Sequence, residues 1–224
     1  GVARAEIAGR VVGGQPGGAR GLDLALPGPV EAVRRHEHPL VEQGGVYADI
    51  DTIFVAPLPS HLFEQPFVIG REPPIVDERT GERRPSLCNA FLMSEPGSAF
   101  ARTWRDRMAA ALDGWSHHST LLPQELAEAH PDQVHIEPER TFYAFPSTPD
   151  GLRRLFEGCE TDLDGVASIH LWSHLWWEED RVDFSTFHGS LLTEHFVRTV
   201  DTTYGLLARP HLPPFDPTWF ARSR

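Results

Sequence analysis

Hydrophobic and polar positions change their pattern once along the chain, near residue 30. Residues 1–30 are rich in glycine and proline and show too little hydrophobic periodicity for a strand or a helix, so we expect an irregular leader there. From Val30 onward, short apolar runs alternate with segments of helical periodicity. This alternation predicts a single α/β domain over residues 31–224, with a mixed or mainly parallel sheet flanked by helices.

Five apolar runs predict strands, at residues 46–54, 66–70, 87–94, 134–136 and 166–171. In the first run, the side chains at every second position share one face: Val46, Ala48, Ile50, Thr52 and Phe54. Pro57 and Pro59 follow this run and are expected to end the strand.

Two segments predict helices that pack on the sheet. Residues 97–112 place large or small apolar side chains at spacings of about four: Phe100, Trp104, Met108 and Ala111. Residues 119–129 predict a second helix, with Pro131 beyond its end.

Composition and charge limit the classes of function. The chain has 224 residues, 40% of them hydrophobic, which is enough for one substantial core. Lys and Arg total 20 against 32 Asp and Glu, a net charge of -12 that argues against binding nucleic acid or an anionic membrane surface. A phosphate-bearing ligand would therefore need local arginines, backbone N–H groups or a divalent cation.

Cysteine content and hydropathy bear on the location of the protein. Cys88 and Cys159 give no disulfide framework and favour a reducing compartment. No run of about 18 apolar residues predicts a membrane span, and no signal peptide is seen. We therefore expect a cytoplasmic protein, with loose association with a membrane that carries the acceptor left open.

Asp49 and Asp51 stand inside an otherwise apolar stretch. Side chains two residues apart in a strand point to the same side, and two bare carboxylates there would repel each other. A bound Mg²⁺ or Mn²⁺ removes this cost, since both cations take oxygen ligands and are commonly shared with substrate phosphates. Gly44 and Gly45 allow the backbone to approach a ligand or to turn sharply into the strand. The simpler alternative is a strand end with solvated acids.

Three segments, in order along the chain, resemble one family. Residues 44–51, GGVYADID, followed by an apolar stretch that ends in Pro57-Leu58, resemble the Asp-x-Asp segment of the sugar-binding-region glycosyltransferases of family thirty-two. Residues 89–97, NAFLMSEPG, resemble the asparagine-bearing strand and following helix of that family, and residues 169–177, IHLWSHLWW, resemble its C-terminal His-x-Trp segment. The resemblance runs from about Val41 to about Tyr204.

The resemblance implies a GT-A fold, a nucleotide-diphosphate sugar donor, a divalent metal and retention of anomeric configuration. It places Asp51 on the metal. It places Asp49 on the ribose or donor sugar, with contact to the metal through water. His170 is the expected third ligand or a contact to the diphosphate, and His174 is its competitor. Tyr47 is expected near the nucleotide.

Other candidates each have a structural alternative. Asn89 is expected to bind sugar hydroxyls or to line the acceptor side, unless it caps a local turn. Either histidine of the C-terminal segment could instead be hydrogen-bonded in the core. Trp172, Trp176 and Trp177 could stack on a base or sugar, although core packing is expected for at least two of them. The histidine clusters at 36–38 and 117–118 are expected to be exposed loop residues.

The N-terminal part departs from the family pattern. The family carries an Ala-Ser-Asp-x-x-Arg helix and, before it, a first strand, both of which help bind the donor. Here only residues 30–35 offer a counterpart, with Glu31 and Arg34 at the expected mutual spacing but at a shifted distance from Gly44. Arg34 is the candidate donor contact. We expect a nucleotide-binding part that is degenerate or missing.

The sequence thus predicts a metal-dependent glycosyltransferase that moves a hexose from a nucleotide-diphosphate sugar to a hydroxyl of a glycan, a lipid or a small molecule. Two alternatives stay open: a catalytically impaired relative that acts in binding or assembly, and a sugar-nucleotide hydrolase. Sugar, nucleotide and acceptor depend on side chains that converge only in the fold.

Overall fold

The computed structural model describes residues 39–77, 80–110, 117–178 and 187–214. The strands within these residues are β1 Gly45–Ala48, β2 Thr52–Phe54, β3 Phe67–Val76, β4 Arg83–Ser94, β5 His135–Glu137 and β6 Ser168–His170. The α-helices are α1 Ala99–Ala110, α2 Leu122–Ala129, α3 Glu139–Tyr143, α4 Pro149–Phe156, α5 Glu194–Thr199 and α6 Thr203–Ala208. The predicted leader and Arg34 lie outside the described residues, so both stay predictions.

The strands form two sheets. The larger sheet has the order β1-β4-β3-β5, in which β4 runs antiparallel to both β1 and β3, and β5 runs parallel to β3. β2 and β6 form a separate antiparallel pair. This arrangement confirms the predicted α/β class with a mixed sheet, whereas the mainly parallel alternative does not describe these pairings.

The larger sheet is covered on both faces. Phe67 and Ile69 point from β3 into one core, where they meet Trp104 of α1 and residues of α2. Val68, between them, points into a second core that contains Phe142 of α3. This alternation is the period-2 pattern of a strand buried on both sides, and it explains why the strand reads as a continuous apolar run.

The prediction of one continuous strand over residues 46–54 is wrong. β1 and β2 are separated by a break at residues 49–51. The N–H of Asp49 donates to the carbonyl of Ala90 on β4 at 2.8 Å, whereas the carbonyl of Asp51 accepts from the N–H of Leu171, after β6, at 2.8 Å. The chain changes partners at Ile50, whose side chain is 88% exposed. The two aspartates therefore lie where the two sheets meet.

The other strand predictions are confirmed in position. The first of these runs, residues 66–70, matches β3 from Phe67 onward, and residues 87–94 lie in β4. Both strands are longer than predicted and pair with each other as far as residues 76 and 83. Most of the additional residues are polar or proline, and Ile75 and Val76 are separated from the apolar run by them, so the apolar pattern did not show the full strands. Residues 134–136 match β5 to within one residue, and residues 166–171 contain β6.

The two predicted helices are confirmed. α1 buries its predicted stripe, with Phe100, Trp104 and Met108 each 1% exposed, and Ala111 lies outside the described residues. Residues 117–121 form a π-helical turn that leads into α2. None of the helices within the described ranges has the length and apolar character that a bilayer crossing requires.

The expectation that His117 and His118 lie in an exposed loop is wrong, because both belong to the π-helical turn, where His117 is half-buried and His118 is buried. His118 is 1% exposed, and its backbone carbonyl accepts a hydrogen bond of 2.9 Å from the indole N–H of Trp104. The π-helical turn packs against β4, which turns His118 inward. The cluster at residues 36–38 lies outside the described residues.

β4 bulges within its pairing with β3. One step along β3, from residue 69 to 70, corresponds to residues 92 and 88 on β4. The hydroxyl of Tyr143, at the end of α3, spans this bulge: it donates to the carbonyl of Cys88 and accepts from the N–H of Phe91, both at 3.1 Å. A Cβ atom at Gly70 would lie 2.6 Å from the Tyr143 ring, so the glycine admits the ring.

Candidate metal and ligand site

Asp49, Asp51 and His170 come together where β1, β2 and β6 meet. Asp49 follows β1, and Asp51 precedes β2. β6 runs antiparallel to β2 with His170 opposite Thr52, which brings the histidine next to Asp51 across the pair. Residues 119 positions apart in the chain therefore become neighbours through one strand register.

The three side chains form a group able to hold a metal ion. His170 Nε2 lies 3.1 Å from Asp51 Oδ1 and 3.6 Å from Asp49 Oδ2, and one ligand atom of each residue lies within 4.8 Å of the other two. Metal–ligand bonds of roughly 2.0–2.3 Å place neighbouring ligands about 3 to 4 Å apart, which matches these separations. Both aspartates therefore face one spot, as predicted from the sequence. They do so because the chain turns between β1 and β2, and not because they share one face of a strand.

Asp51 is held as a carboxylate by its neighbours. Burial alone would raise its pKa, but hydrogen bonds and charge from His170 and two hydrogen bonds from Ser173 outweigh burial and hold the pKa well below its usual range. Asp51 Oδ2 accepts from the Ser173 N–H at 2.9 Å and from the Ser173 hydroxyl at 2.7 Å. These bonds fix the side chain and leave Oδ1 toward His170 and Asp49.

Asp49 is oriented by the residue two positions before it. The hydroxyl of Tyr47 donates to Asp49 Oδ1 at 2.5 Å, which leaves Oδ2 as the oxygen nearer His170. Tyr47 packs against the core on the α1 side of the sheet. In the described structure its contact is therefore with the carboxylate, and its predicted place near a nucleotide stays a prediction.

His170 is buried, with a side-chain exposure of 6%. Its ring contacts that of Trp172, with centroids 4.2 Å apart, and lies edge-on to Tyr143. Nδ1 is buried and has no hydrogen-bond partner among the described residues. A proton on Nδ1 has no acceptor there, whereas a proton on Nε2 can be donated to Asp51.

A cleft of about 410 Å³ opens beside this group. Most of its lining comes from the break between β1 and β2, the second half of β3, the bulge of β4, and the end of β6 with the turn that follows it. The lining residues are Asp49, Asp51, Glu72, Ile75, Val76, Cys88, Asn89, Thr120, Ser147, His170, Trp172, Ser173, His174 and Leu175. Four candidates from the sequence therefore share one cavity with the two aspartates, namely Asn89, His170, Trp172 and His174. The volume lies in the range of small-molecule sites.

Asn89 and His174 occupy different kinds of position. Asn89 lies within β4 at the bulge, so the alternative of a turn cap does not describe it. His174 is exposed on the short helical turn Ser173–Leu175 and lines the cleft, whereas His170 is buried against the aspartates. The structure therefore gives the place beside the carboxylates to His170 rather than to His174.

Gly44 and Gly45 form the turn into β1. Both have positive φ angles, +67° and +110°, and a Cβ at Gly44 would lie 2.7 Å from the carbonyl oxygen of Ser94. Neither glycine lines the cleft of the aspartates. The two glycines make the sharp turn into the strand that the sequence allowed. Their predicted contact with substrate stays a prediction.

The expectation for the tryptophans is confirmed. Trp172 and Trp176 are buried, at 4% and 1% exposure, and Trp177 is 56% exposed. The Trp172 indole N–H donates to the carbonyl of Phe145 at 2.8 Å, and the residue also lines the cleft. Trp172 therefore combines core packing with a place at the site.

Two residues that line the cleft, Glu72 and Ser173, were not predicted from the sequence. Glu72 is 5% exposed and lines the cleft, where burial raises its pKa to about 7 although the Ser86 hydroxyl donates to it at 3.0 Å. Its position could have been found from strand period, because residues 68, 70 and 72 share a face of β3. Ser173 lies inside the quoted C-terminal segment, but nothing in linear order indicates its bonds to Asp51.

The comparisons with known proteins give a similarity and no family. No family model matches the chain, and no solved structure matches it. The chain is 27% identical over 176 residues to a protein of Cryptococcus neoformans var. grubii serotype A that is named glucan organizing enzyme 1. The aligned part covers 77% of this chain and 45% of that protein, so the chain spans about half the length of the relative that it matches.

Proposed function

We propose that the chain is a metal-dependent glycosyltransferase that moves a hexose from a nucleotide-diphosphate sugar to a hydroxyl of a glycan, a lipid or a small molecule, with retention of configuration. One observation carries this proposal: the three sequence segments that resemble family thirty-two all contribute to one cleft. The first supplies Asp49 and Asp51, the second Asn89, and the third His170 and His174. The name of the similar fungal protein supports a carbohydrate-related enzyme.

The donor set supports a hard divalent cation. Two carboxylates and one imidazole are oxygen-rich ligands, which suit Mn²⁺ or Mg²⁺, and the imidazole favours Mn²⁺ of the two. Asp49 and Asp51 would supply the oxygens and His170 the nitrogen. When bound, the cation would act as a Lewis acid that stabilises the negative charge of the leaving nucleoside diphosphate. It would also offset the excess of acidic residues for an anionic donor.

The residues of the chain divide into those that hold the carboxylates and those that border the sugar. Ser173 and Tyr47 fix the two aspartates through hydrogen bonds, so their oxygens need little rearrangement to bind. Asn89 and His174 present polar groups to the same cavity and can bind sugar hydroxyls. Trp172 supplies a flat apolar wall of the kind on which a sugar ring packs.

The testing experiment is a calorimetric titration of UDP- and GDP-sugars into the full chain, with and without Mn²⁺. We expect binding that depends on the cation and is lost in both Asp51→Asn and Asp49→Asn. Circular dichroism and thermal melting of each variant separate loss of the site from loss of the fold. Equal, metal-independent binding by wild type and both variants would overturn the proposal.

The same samples distinguish the alternatives. A transferase consumes donor faster when a suitable acceptor is added, whereas a sugar-nucleotide hydrolase releases free sugar without any acceptor. A catalytically impaired relative binds donor, seen as thermal stabilisation in Mn²⁺, and turns over none of it. Product analysis by chromatography and mass spectrometry reads all three outcomes.

The affinity of the variants also ranks the ligands. Ligation through His170 Nε2 moves the proton to Nδ1, which has no acceptor in the described part of the chain. The histidine is therefore expected to be the weakest of the three ligands. Titration of Mn²⁺ should show a smaller loss of affinity for His170→Gln than for Asp51→Asn, and the reverse order would assign the main role to the histidine.

A further inference from the structure

A second group of side chains of the types that ligate metals lies outside the cleft: His61, His135 and Glu137. His135 and Glu137 belong to β5, which lies at one edge of the larger sheet, and His61 belongs to the short helical turn Ser60–Glu64 that follows β2. One ligand atom of each residue lies within 4.8 Å of the other two. None of the three residues lines the cleft of Asp49 and Asp51.

The two histidines converge on one oxygen atom. Nε2 of His61 lies 3.1 Å from Glu137 Oε1, and Nε2 of His135 lies 2.7 Å from the same oxygen. A tetrahedral zinc ion with bonds of about 2.0–2.1 Å separates neighbouring ligand atoms by about 3.3 Å. Small rotations of exposed side chains therefore suffice to place all three atoms around one ion.

The strand holds two of the three ligands in place. Residues two positions apart in a strand point to the same side, so His135 and Glu137 share a face of β5. The parallel pairing of β5 with β3 places Glu137 opposite Gly70 and fixes the strand. The third ligand is held by its neighbour Leu62, which is 1% exposed in the core.

Glu137 has the supporting contact that a ligand carboxylate requires. Its side chain is 7% exposed, and Oε2 accepts a hydrogen bond of 2.7 Å from the hydroxyl of Thr141. Oε1 is thereby directed to the histidines. Outer hydrogen bonds of this kind orient ligands in metal sites and raise their affinity.

The histidines are accessible to an incoming ion. The side chains of His61 and His135 are 54% and 33% exposed. When Nε2 binds a metal, the proton moves to Nδ1, and water can accept it at such exposure. His170 in the cleft lacks this possibility. The group of His61 and the group of His170 therefore differ in the exposure of their histidines as well as in position.

We propose that His61, His135 and Glu137 form a zinc site. Two imidazole nitrogens and one carboxylate oxygen are a nitrogen-rich set that selects Zn²⁺ over Mg²⁺ or Mn²⁺, and three protein ligands leave the fourth position of a tetrahedral ion to water. The ion joins the turn after β2 to the edge strand β5. The simpler alternative is a hydrogen-bonded His-Glu-His cluster that binds no metal.

The proposal is tested by zinc titration of the full chain after chelator treatment, in competition with a chromogenic chelator. The measurement is made in an Asp51→Asn background, so that the carboxylate group of the cleft contributes little. We expect one zinc ion per chain and a loss of affinity of more than about tenfold in His61→Ala, His135→Ala and Glu137→Gln. His195→Ala, another exposed histidine, is the matched control and should bind as the background does.

A spectroscopic measurement identifies the ligands independently of affinity. Co²⁺ bound in a tetrahedral site with nitrogen ligands gives visible absorption, which should appear in the background variant and disappear in His61→Ala. Because His61 is half exposed, its replacement is not expected to unfold the protein, and circular dichroism checks this. Absence of zinc binding in the background, or equal binding by His61→Ala and the His195→Ala control, would overturn the proposal.

The hydrogen bond from Thr141 gives a further test. Thr141→Val keeps the shape of the side chain and removes the hydroxyl, so Glu137 is less well oriented. We expect zinc affinity to fall about tenfold while the Co²⁺ spectrum keeps its form. A spectrum lost altogether would assign Thr141 a structural role in folding rather than a positioning role.

Discussion

Ser173 donates two hydrogen bonds to Asp51, one from its backbone N–H at 2.9 Å and one from its hydroxyl at 2.7 Å, across 122 positions of sequence. The contact joins the turn after β6 to the break between β1 and β2. It fixes one carboxylate of the proposed metal site before any ligand arrives. Preorganisation of this kind reduces the entropy lost on binding.

Replacement of Ser173 by alanine should therefore weaken the site without removing a ligand. The backbone N–H still donates, so Asp51 keeps part of its anchor. We expect Mn²⁺-dependent donor affinity to fall about tenfold, with little change in melting temperature. Calorimetry measures the affinity, and Ser190→Ala, an exposed serine elsewhere, is the control. Unchanged affinity in Ser173→Ala would show that the hydroxyl does not orient Asp51.

Glu72 should make stability depend on pH. Burial raises its pKa in the folded protein from the ordinary 4.5 to about 7. The folded state therefore favours the protonated form, and the contribution to stability is full below pH 4.5 and lost as pH rises through 7. In Glu72→Gln this loss is absent. Urea denaturation should show that the free energy of unfolding of the variant, relative to wild type, rises by up to about 3 kcal/mol between pH 4.5 and 8.

The control for this series is Glu95→Gln, at an exposed position. Its stability should run parallel to wild type over the whole pH range. If the free energy of unfolding of Glu72→Gln had the same pH dependence as that of wild type, the Glu72 carboxyl group would have the same pKa in the folded and unfolded chain. That result would contradict a buried carboxyl group at this position.

The hydroxyl of Tyr143 should stabilise the bulge of β4. In Tyr143→Phe the buried N–H of Phe91 and the carbonyl of Cys88 lose their shared partner. An unsatisfied buried polar group costs about 1–3 kcal/mol, so urea denaturation should show a loss of that size. Tyr204→Phe, a half-buried tyrosine in the same core, should lose much less. Equal losses in the two variants would mean that the bonds from the Tyr143 hydroxyl to β4 add nothing to stability beyond an ordinary tyrosine hydroxyl.

The turn before β1 should tolerate no side chain at Gly44. Its φ of +67° is unfavourable for alanine, and a Cβ would also lie 2.7 Å from backbone atoms of Ser94 and Pro96. Gly81 has a similar φ of +73° with no atom within 4 Å of its Cβ position, so Gly81→Ala isolates the cost of the backbone angle, about 1–2 kcal/mol. Gly44→Ala should cost at least about 1 kcal/mol more in urea denaturation. Equal costs would mean that the backbone moves away freely.

Sequence patterns predicted the parts of the fold that one-dimensional periodicity controls. The stripe of α1 and the apolar runs of β3 and β4 are fixed by burial on a sheet, and each appears in the structure. The break at Ile50 was missed because alternation continues through it, while the change of strand partner depends on β4 and β6. The inward turn of His118 was missed for the same reason, since it follows from packing against β4.

For the candidate site, the sequence singled out the carboxylates and histidines that line the cleft, but not the residues that hold the carboxylates in place. Asp49 and Asp51 stand out because charge is rare in an apolar run. Ser173 does not stand out, since a serine after a tryptophan has no distinguishing pattern. Glu72 continues the strand period of Val68 and Gly70, but the apolar run ends at Gly70, so the predicted strand stops before Glu72. Supporting residues are defined by three-dimensional proximity, and only the fold reveals it.

Because the chain changes strand partner at Ile50, the distance between the carboxylates of Asp49 and Asp51 depends on how the two sheets are aligned. The backbone of Asp49 is tied to Ala90 in one hydrogen-bonded ladder, and that of Asp51 is tied to Leu171 in the other. A shear of one ladder against the other would alter the distance between the side chains while both cores stay closed. An ion bound by both carboxylates would oppose this movement and hold the two sheets in fixed alignment.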